Sequence, residues 1–148
     1  MVDFTLSDEN RLVQHSARAF VEAEILPHIR EWDEKGEVHR EVFGRMAELG
    51  FLGAPIPERY GGSGMDYISF ALLCEELERG DTAFRVVQSV HVGLNSLALL
   101  QWGSEEQRQR WLVPQARGER LATFGLTEPG TGTDAANLAT TARRSGDI

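Results

Sequence analysis

The chain has 148 residues, 41% of them hydrophobic and 26% charged, which is the balance of one ordinary globular domain. Its formal charge of -8 and its lack of a basic stripe argue against a nucleic-acid partner. No run approaches the roughly 18 apolar residues of a membrane-spanning helix, no signal-peptide pattern is present, and the single cysteine, Cys74, excludes an intrachain disulfide or a thiolate metal cluster. We therefore expect a cytoplasmic protein without membrane insertion and without a metal site.

Helix caps and apolar stripes predict two helices in the first 50 residues. The hydroxyl of Ser7, followed by two acids, begins a helix that is interrupted at Pro27 and closes at Gly36. The second helix runs from about residue 40 to residue 49 and ends at Gly50. Prolines and glycines then predict a loop of defined shape over 51–65.

Further helices are predicted after this loop. Asp66 caps a helix that reaches about Arg79. The acidic run on this helix is interpreted as a solvated face: Glu75, Glu76 and Glu78. The long, mostly apolar pattern over 83–102 is typical of a core helix. Ser104 and Gln107 form a capping box that begins a shorter helix.

Residues 121–134 combine strand-like alternation with a glycine-rich turn. Residues 123–127 favour a strand, Pro129 ends it, and Gly130 and Gly132 let the backbone come close to a ligand. A single strand cannot pair its own backbone groups. We therefore expect its partner strand beyond this chain or on another chain.

The letters over 130–135 match the G-x-G-x-x-A dinucleotide fingerprint, but their context argues against a Rossmann site. That fingerprint opens a helix directly after a strand, with an acidic residue ~20 positions on, whereas Glu128 and Pro129 separate the strand from the glycines here. An extended backbone is better suited to bonding the edge of a flat heterocycle, with the hydroxyls of Thr127 and Thr133 reaching the ring or a phosphate. An ordinary loop remains an open alternative.

Residues 124–134 resemble the Thr-Glu-Pro-x-x-Gly-Ser-Asp signature of the flavin-dependent acyl-CoA dehydrogenases, with Thr133 in place of the usual serine. Further blocks are similar to that family in order and spacing: 57–62, 75–79, 103–112 and 114–119. The resemblance covers nearly the whole chain and is closest to the short-chain and glutaryl-CoA branch.

The resemblance implies a mainly α fold class. It predicts an N-terminal all-α domain over 1–119, followed over 120–148 by the start of a middle β domain that carries the FAD-binding strand and turn. The family's C-terminal helical bundle is expected to lie outside this chain. Family members usually assemble as homotetramers.

For the site, the resemblance implies contacts along the predicted strand and turn. Six residues are expected to bind FAD: Phe124, Gly125, Leu126, Thr127, Gly132 and Thr133. The acyl-CoA substrate is expected to contact Thr133 and also Arg85, because an arginine at the matching place in the glutaryl-CoA branch meets the far carboxylate of the substrate. From the residues alone, an ion pair of Arg85 with Asp81 or Glu78 is an equal alternative.

The implied reaction is FAD-dependent α,β-dehydrogenation of an acyl-CoA thioester to the trans-2-enoyl-CoA, in fatty-acid or amino-acid catabolism, with electron-transfer flavoprotein or a similar acceptor. The family's base is typically a glutamate of the C-terminal bundle, so no catalytic residue is assigned here, and Glu128 is interpreted as structural. His91 is interpreted as a satisfied core or pocket-wall histidine. Two alternatives stay open: a split or truncated subunit without turnover, and a flavin-dependent oxygenase on the same scaffold.

Overall fold

A computed structural model describes residues 5–37 and 39–146, so the predicted ranges 1–119 and 120–148 each include residues outside this description. The described part is mainly helical, as predicted. Its α-helices follow in chain order: α1 Asp8–Phe20, α2 Ile29–Lys35, α3 Arg40–Glu48, α4 Tyr67–Gly80, α5 Thr82–Gln88, α6 Leu97–Trp102, α7 Glu105–Gln107 and α8 Val113–Ala116. Wider π-helical turns extend or join them: Val21–Ile25, Ser89–Ser96 and Arg108–Leu112. Single 3₁₀ turns complete the helical elements: Phe51–Gly53, Glu58–Tyr60 and Ala135–Asn137.

The helix ends lie where the caps predicted them. The Ser7 hydroxyl accepts a hydrogen bond from the Asn10 amide at 3.1 Å, and each residue's side chain bonds the other's backbone. Gly36 and Gly50 have φ values of 64° and 73°, in the left-handed region that glycine adopts without a Cβ penalty. These four residues therefore set the start of α1 and the ends of α2 and α3.

The main core lies where α1, α3 and α4 meet, and the first turns of α5 close it. Aromatic rings fill its centre: the Phe84 ring lies 5.7 Å from Trp32 and 5.5 Å from Phe43, and Phe20 meets Phe51 edge-on at 5.7 Å. A smaller apolar cluster packs the last helices against the loop after α3: Ile56, Tyr60, Leu112 and Ala116. The loop over 51–65 thus has a defined shape, as the sequence predicts.

Buried polar contacts fix α1 against α4. Asn10, 3% exposed, donates to the Asp66 carboxylate at 3.1 Å and to the Ser69 hydroxyl at 2.9 Å. Asp66 is itself the N-cap of α4 and accepts from the Ser69 amide at 2.6 Å. These hydrogen bonds hold the pKa of Asp66 below its ordinary value. The bond from the Ser69 amide has the largest effect, and the bond from Asn10 has the next largest. One side chain therefore joins two helix N-termini.

The interpretation of the acidic run on α4 as a solvated face is wrong for Glu76. This side chain is 2% exposed and accepts from Arg18 of α1 at 2.5 Å and from Arg79 at 3.0 Å. The hydrogen bond from Arg18 is the main cause of its lowered pKa. A buried carboxylate is tolerated here because two guanidinium groups replace its water.

The continuous helical stretch Thr82–Trp102 is less buried than its apolar pattern predicts. Only one side of it is covered in the described structure, and three large hydrophobic side chains remain open to solvent: Val86 at 39%, Leu94 at 47% and Trp102 at 80% exposed. With 21 residues and a mean hydropathy of 1.2, this stretch reaches the length and composition of a membrane-spanning helix, which the sequence reading did not expect. Core helices of soluble proteins meet the same criterion.

Within residues 5–37 and 39–146 no β-strand forms, so the strand predicted over 123–127 is absent from the described structure. The backbone there runs without a neighbouring strand to exchange hydrogen bonds with, and a lone strand has no ladder. Only an isolated bridge closes the turn that follows. The Glu128 amide donates to the Thr131 carbonyl at 2.9 Å and the Thr131 amide donates back at 3.2 Å.

Replacing Asn10 with alanine is expected to lower the free energy of unfolding by about 1–3 kcal/mol, because the buried Ser69 hydroxyl and the Asp66 carboxylate lose their shared partner. Urea unfolding followed by circular dichroism measures this change. Gln107→Ala is the matched control, since Gln107 occupies the same capping-box position in an exposed box and, among the described residues, its side chain hydrogen-bonds only to Ser104. The junction is refuted if the two variants lose the same stability.

Candidate functional site

The covered side of the long helix carries three buried polar side chains beside its apolar ones. Gln88, His91 and Ser96 are all 0% exposed, and each contacts another element. Gln88 Nε2 donates to the Phe51 carbonyl at 2.5 Å. Ser96 Oγ lies 3.0 Å from the His91 carbonyl oxygen and 3.1 Å from Gln115 Oε1. Because buried polar groups must be paired, this side fixes where the neighbouring segments lie.

His91 is hydrogen-bonded through both ring nitrogens. The Ala122 amide donates to Nδ1 at 3.0 Å, and Nε2 lies 3.1 Å from the Gln115 carbonyl. An amide can only donate, so Nδ1 is the acceptor and Nε2 carries the proton. Burial lowers the pKa of His91 below its ordinary value of 6.5, while the backbone contacts of Gln115 and Leu52 oppose that shift. His91 is therefore neutral, and its burial and two hydrogen bonds agree with the predicted satisfied core or pocket-wall histidine.

Asn95 makes the adjacent contact, which sequence reasoning missed. Its Nδ2 donates to the Thr123 carbonyl at 3.0 Å. Asn95 lies four residues after His91, so both side chains project from one face of the helix. The signal was present in the sequence, because Gln88, His91 and Asn95 are polar residues at helical spacing within an otherwise apolar pattern.

The predicted flavin contacts follow directly after this anchored point. Within the described structure, the backbone groups of 124–127 take part in no hydrogen bond. A Cβ added at Gly125 or at Gly130 would meet nothing within 4 Å. The side chain of Phe124 is 48% exposed, Leu126 is half-buried and Thr127 is exposed. This stretch presents an open backbone edge.

The turn brings Thr127 and Gly132 together and leaves Thr133 exposed. A Cβ added at Gly132 would lie 3.6 Å from Thr127 Cγ2. Glu128 accepts hydrogen bonds from the Ala139 and Thr140 amides, both at 2.8 Å, and from the Thr140 hydroxyl. These contacts, the Thr140 hydroxyl first, lower the pKa of Glu128. The carboxylate thus closes the turn, which agrees with its structural interpretation.

An apolar cleft of about 740 Å³ borders the open segment. Phe124 forms one end of its wall, and the exposed side of the long helix forms most of the rest. The principal apolar residues of the wall are Tyr67, Leu94, Leu97, Leu100, Trp102 and Phe124. Its volume lies within the range of ordinary ligand pockets.

Arg85 pairs with Glu78 in this structure. Its Nε lies 2.6 Å from a Glu78 carboxylate oxygen, and its Nη1 lies 3.5 Å from the Ser89 hydroxyl. The hydrogen bond from Arg85 is the main cause of the lowered pKa of Glu78. Both side chains are partly exposed, at 34% and 46%, and exposed ion pairs contribute little to stability.

In the described residues, no group of three or more His, Cys, Asp or Glu side chains could hold a metal ion.

Residues 7–119 match the family model described as acyl-CoA dehydrogenase, N-terminal domain. Among curated proteins, the probable acyl-CoA dehydrogenase YngJ of Bacillus subtilis is 40% identical over 146 residues, which is 99% of this chain and 38% of that protein. The short-chain specific acyl-CoA dehydrogenase of Clostridium acetobutylicum is 38% identical with the same coverage, 99% and 38%.

Solved structures also match this chain over nearly its whole length. A chain in the structure of the electron transferring flavoprotein of Acidaminococcus fermentans matches with a TM-score of 0.94 and 38% identity, over 99% of this chain and 38% of that one. A glutaryl-CoA dehydrogenase of Mycobacterium smegmatis in complex with FADH2 matches with a TM-score of 0.89 and 36% identity, over 95% and 36%. The chain therefore spans less than two fifths of the length of these proteins.

The free energy of unfolding is expected to fall as the pH is lowered through about 6.5. The folded-state pKa of His91 is below that value, so the unfolded chain binds the proton first, and the stability is complete only above the unfolded pKa. Urea unfolding between about pH 7.5 and pH 5.5 measures this slope. His91→Asn should remove the contribution of His91 to this slope. Equal slopes in the wild type and the variant would contradict the conclusion that His91 is neutral in the folded protein. The pKa values of the Asp66 and Glu76 carboxylates are lowered, so these groups titrate below this pH range and do not contribute to the slope.

Proposed function

Because the chain belongs to the acyl-CoA dehydrogenase family, we propose that it is the N-terminal helical domain and the first cofactor-facing segment of an FAD-dependent acyl-CoA dehydrogenase. The reaction is α,β-dehydrogenation of an acyl-CoA thioester to the trans-2-enoyl-CoA. The observation that carries this proposal is the open backbone of 124–127, which lies in the family signature and directly follows an anchored pair of residues.

The described residues fit FAD at this segment. Free backbone N–H and C=O groups of 124–127 can bond the edge of a flat ring, and the absence of side chains at Gly125 and Gly130 lets a bulky group come close. The hydroxyls of Thr127 and Thr133 are exposed and can donate to ring or phosphate oxygens. The FADH2 complex of the M. smegmatis relative supports the assignment.

Bound FAD supplies the acceptor for the hydride that leaves the β-carbon. The open backbone of 124–127 would hold and orient the ring, and the apolar wall that includes Phe124 would lie beside it. Glu128 does not act as the base, because its carboxylate is already engaged by the Ala139 and Thr140 amides. The proton-abstracting carboxylate belongs to the part of the protein outside this chain.

We also propose the partners and setting that the family resemblance implies. Electrons leave through an electron-transfer flavoprotein or a similar acceptor, and the A. fermentans match supports this choice. The full protein is a homotetramer in the cytoplasm, with residues 120–148 opening a middle β domain. Size-exclusion chromatography with light scattering measures the tetramer directly.

The full-length protein is expected to be yellow and to lose its visible flavin absorption when an acyl-CoA substrate is added under nitrogen. Bleaching reports transfer of the β-hydride to the flavin, and mass analysis of the product should give the enoyl-CoA. A protein that binds FAD and does not bleach would support the split-subunit alternative. One that requires a separate reductant and consumes oxygen would support the oxygenase alternative.

For the substrate class, we propose a short-chain or dicarboxyl acyl-CoA, with Arg85 meeting a distal carboxylate. The match to a glutaryl-CoA dehydrogenase supports this, and so does the weak, partly exposed pairing of Arg85 with Glu78, which a substrate carboxylate can replace.

Arg85→Gln in the full-length enzyme is expected to lower kcat/KM for glutaryl-CoA by about 10- to 100-fold, the value of one hydrogen bond to a charged group, and to leave butyryl-CoA unchanged. Steady-state kinetics with both thioesters measures the two effects. Glu78→Gln is the control, because it removes the same ion pair without touching the arginine. An equal loss for the two substrates would eliminate Arg85 as a carboxylate ligand.

A further inference from the structure

We propose that His91 is a positioning residue of the flavin site: through its two ring nitrogens it holds the segment that carries the flavin contacts at a fixed distance from the helical domain, with Asn95 as the second point of attachment. This inference rests on the proposed function and adds to it a residue outside the signature. It concerns flavin affinity and geometry and assigns no chemical step to the imidazole.

The position of the two contacts along the chain is the first argument. His91 binds the backbone of Ala122 at 3.0 Å, and Asn95 binds the backbone of Thr123 at 3.0 Å. The described structure gives the backbone of 124–127 no hydrogen bond after them. These two contacts are therefore the last upstream restraint on the open backbone, and any shift in them moves the whole segment.

The geometry of the imidazole is the second argument. One nitrogen accepts from Ala122 and the other meets the Gln115 carbonyl at 3.1 Å, so a rigid ring spans the distance between α8 and the segment. Gln115 also lies 3.1 Å from the Ser96 hydroxyl of the same long helix. Nε2 of His91 is thus bonded to α8, which is itself held by Ser96. Nδ1 of the same ring therefore keeps the Ala122 amide at a fixed position relative to α8.

Burial is the third argument. His91 is 0% exposed, so water cannot replace either of its contacts without opening the structure. Asn95 is half-buried and its contact with Thr123 is open to water, which makes it the weaker of the two points. Precise placement of a binding segment needs such a supporting contact, because the segment has no ladder of its own in the described structure.

Two substitutions at His91 separate positioning from general packing. Asparagine places its Oδ1 near the position of Nδ1, so His91→Asn keeps the acceptor for Ala122 and loses the contact with Gln115. Glutamine places its Nε2 near the imidazole Nε2, so His91→Gln keeps the contact with Gln115 and leaves the Ala122 amide without its acceptor. Each variant loses one hydrogen bond, and only one of them detaches the flavin segment.

The experiment titrates FAD into the apo form of the full-length wild type and of both variants, followed by quenching of flavin fluorescence. We expect His91→Gln to raise the dissociation constant for FAD by about 10-fold, the effect of one unsatisfied, partly buried amide, and His91→Asn to stay within about 2-fold of wild type. Equal changes in the two variants, or no change in either, would overturn the proposal. The visible flavin band should also lose its vibrational shoulders in His91→Gln only.

Two further variants provide a second test and a control. Asn95→Ala should weaken FAD binding by about 3-fold, since it removes the second attachment from a half-buried site without a buried cavity; unchanged affinity there would count against the proposal even if His91→Gln fails to fold. Gln88→Leu is the matched control, because Gln88 is equally buried on the same helix but contacts Phe51 and not the segment. It should leave the FAD constant unchanged, and a loss equal to that of His91→Gln would overturn the proposal.

The proposed function and this inference fail separately. If the wild-type protein binds no FAD, the proposed function is wrong. If the wild type binds FAD and the two His91 variants bind it alike, the proposed function stands and the positioning role is wrong.

Discussion

The arrangement of this chain depends on one constraint: the polar groups buried along the helical stretch Thr82–Trp102 must be paired. Gln88 finds the Phe51 carbonyl, His91 finds Gln115 and Ala122, and so each pairing fixes a segment that is distant in sequence. An apolar side would pack against almost any apolar surface, whereas hydrogen bonds require a particular position and direction. These buried polar groups therefore decide how the loop after α3, α8 and the segment at Ala122 meet. There is one exception: among the buried side-chain oxygens of the described residues, Gln88 Oε1 has no hydrogen-bond partner.

The candidate site lies at the boundary between anchored and open backbone. Up to Thr123, hydrogen bonds from the long helix hold the chain, and the backbone groups of 124–127 after it make no hydrogen bond in the described structure. Fixed support next to free hydrogen-bonding groups is what a cofactor site requires, because a ligand then loses little free energy in ordering the protein. The open segment and the exposed side of the long helix also share one apolar cleft, so the same helix contributes both support and wall.

Local signals in the sequence were sufficient for the helix bounds. Ser7, Asp66 and Ser104 cap helices as predicted, and Gly36 and Gly50 end them, because caps and left-handed glycines act over only a few residues. Signals that depend on distant partners were misread. Glu76 looked like part of a solvated face, but Arg18, 58 positions away in sequence, makes its burial possible.

The sequence by itself determined the helical class, the family, and the stretch where the cofactor is expected, because each depends on local patterns of residues close together in the chain. Only the tertiary structure decided the protonation form of His91, the pairing of Arg85 with Glu78, and the attachment of Thr123 to Asn95. It also removed the predicted strand, because β propensity cannot replace a partner strand. The physical reason is common to all of these: burial and hydrogen-bond partners are set by which segments meet, and a linear pattern does not contain that information.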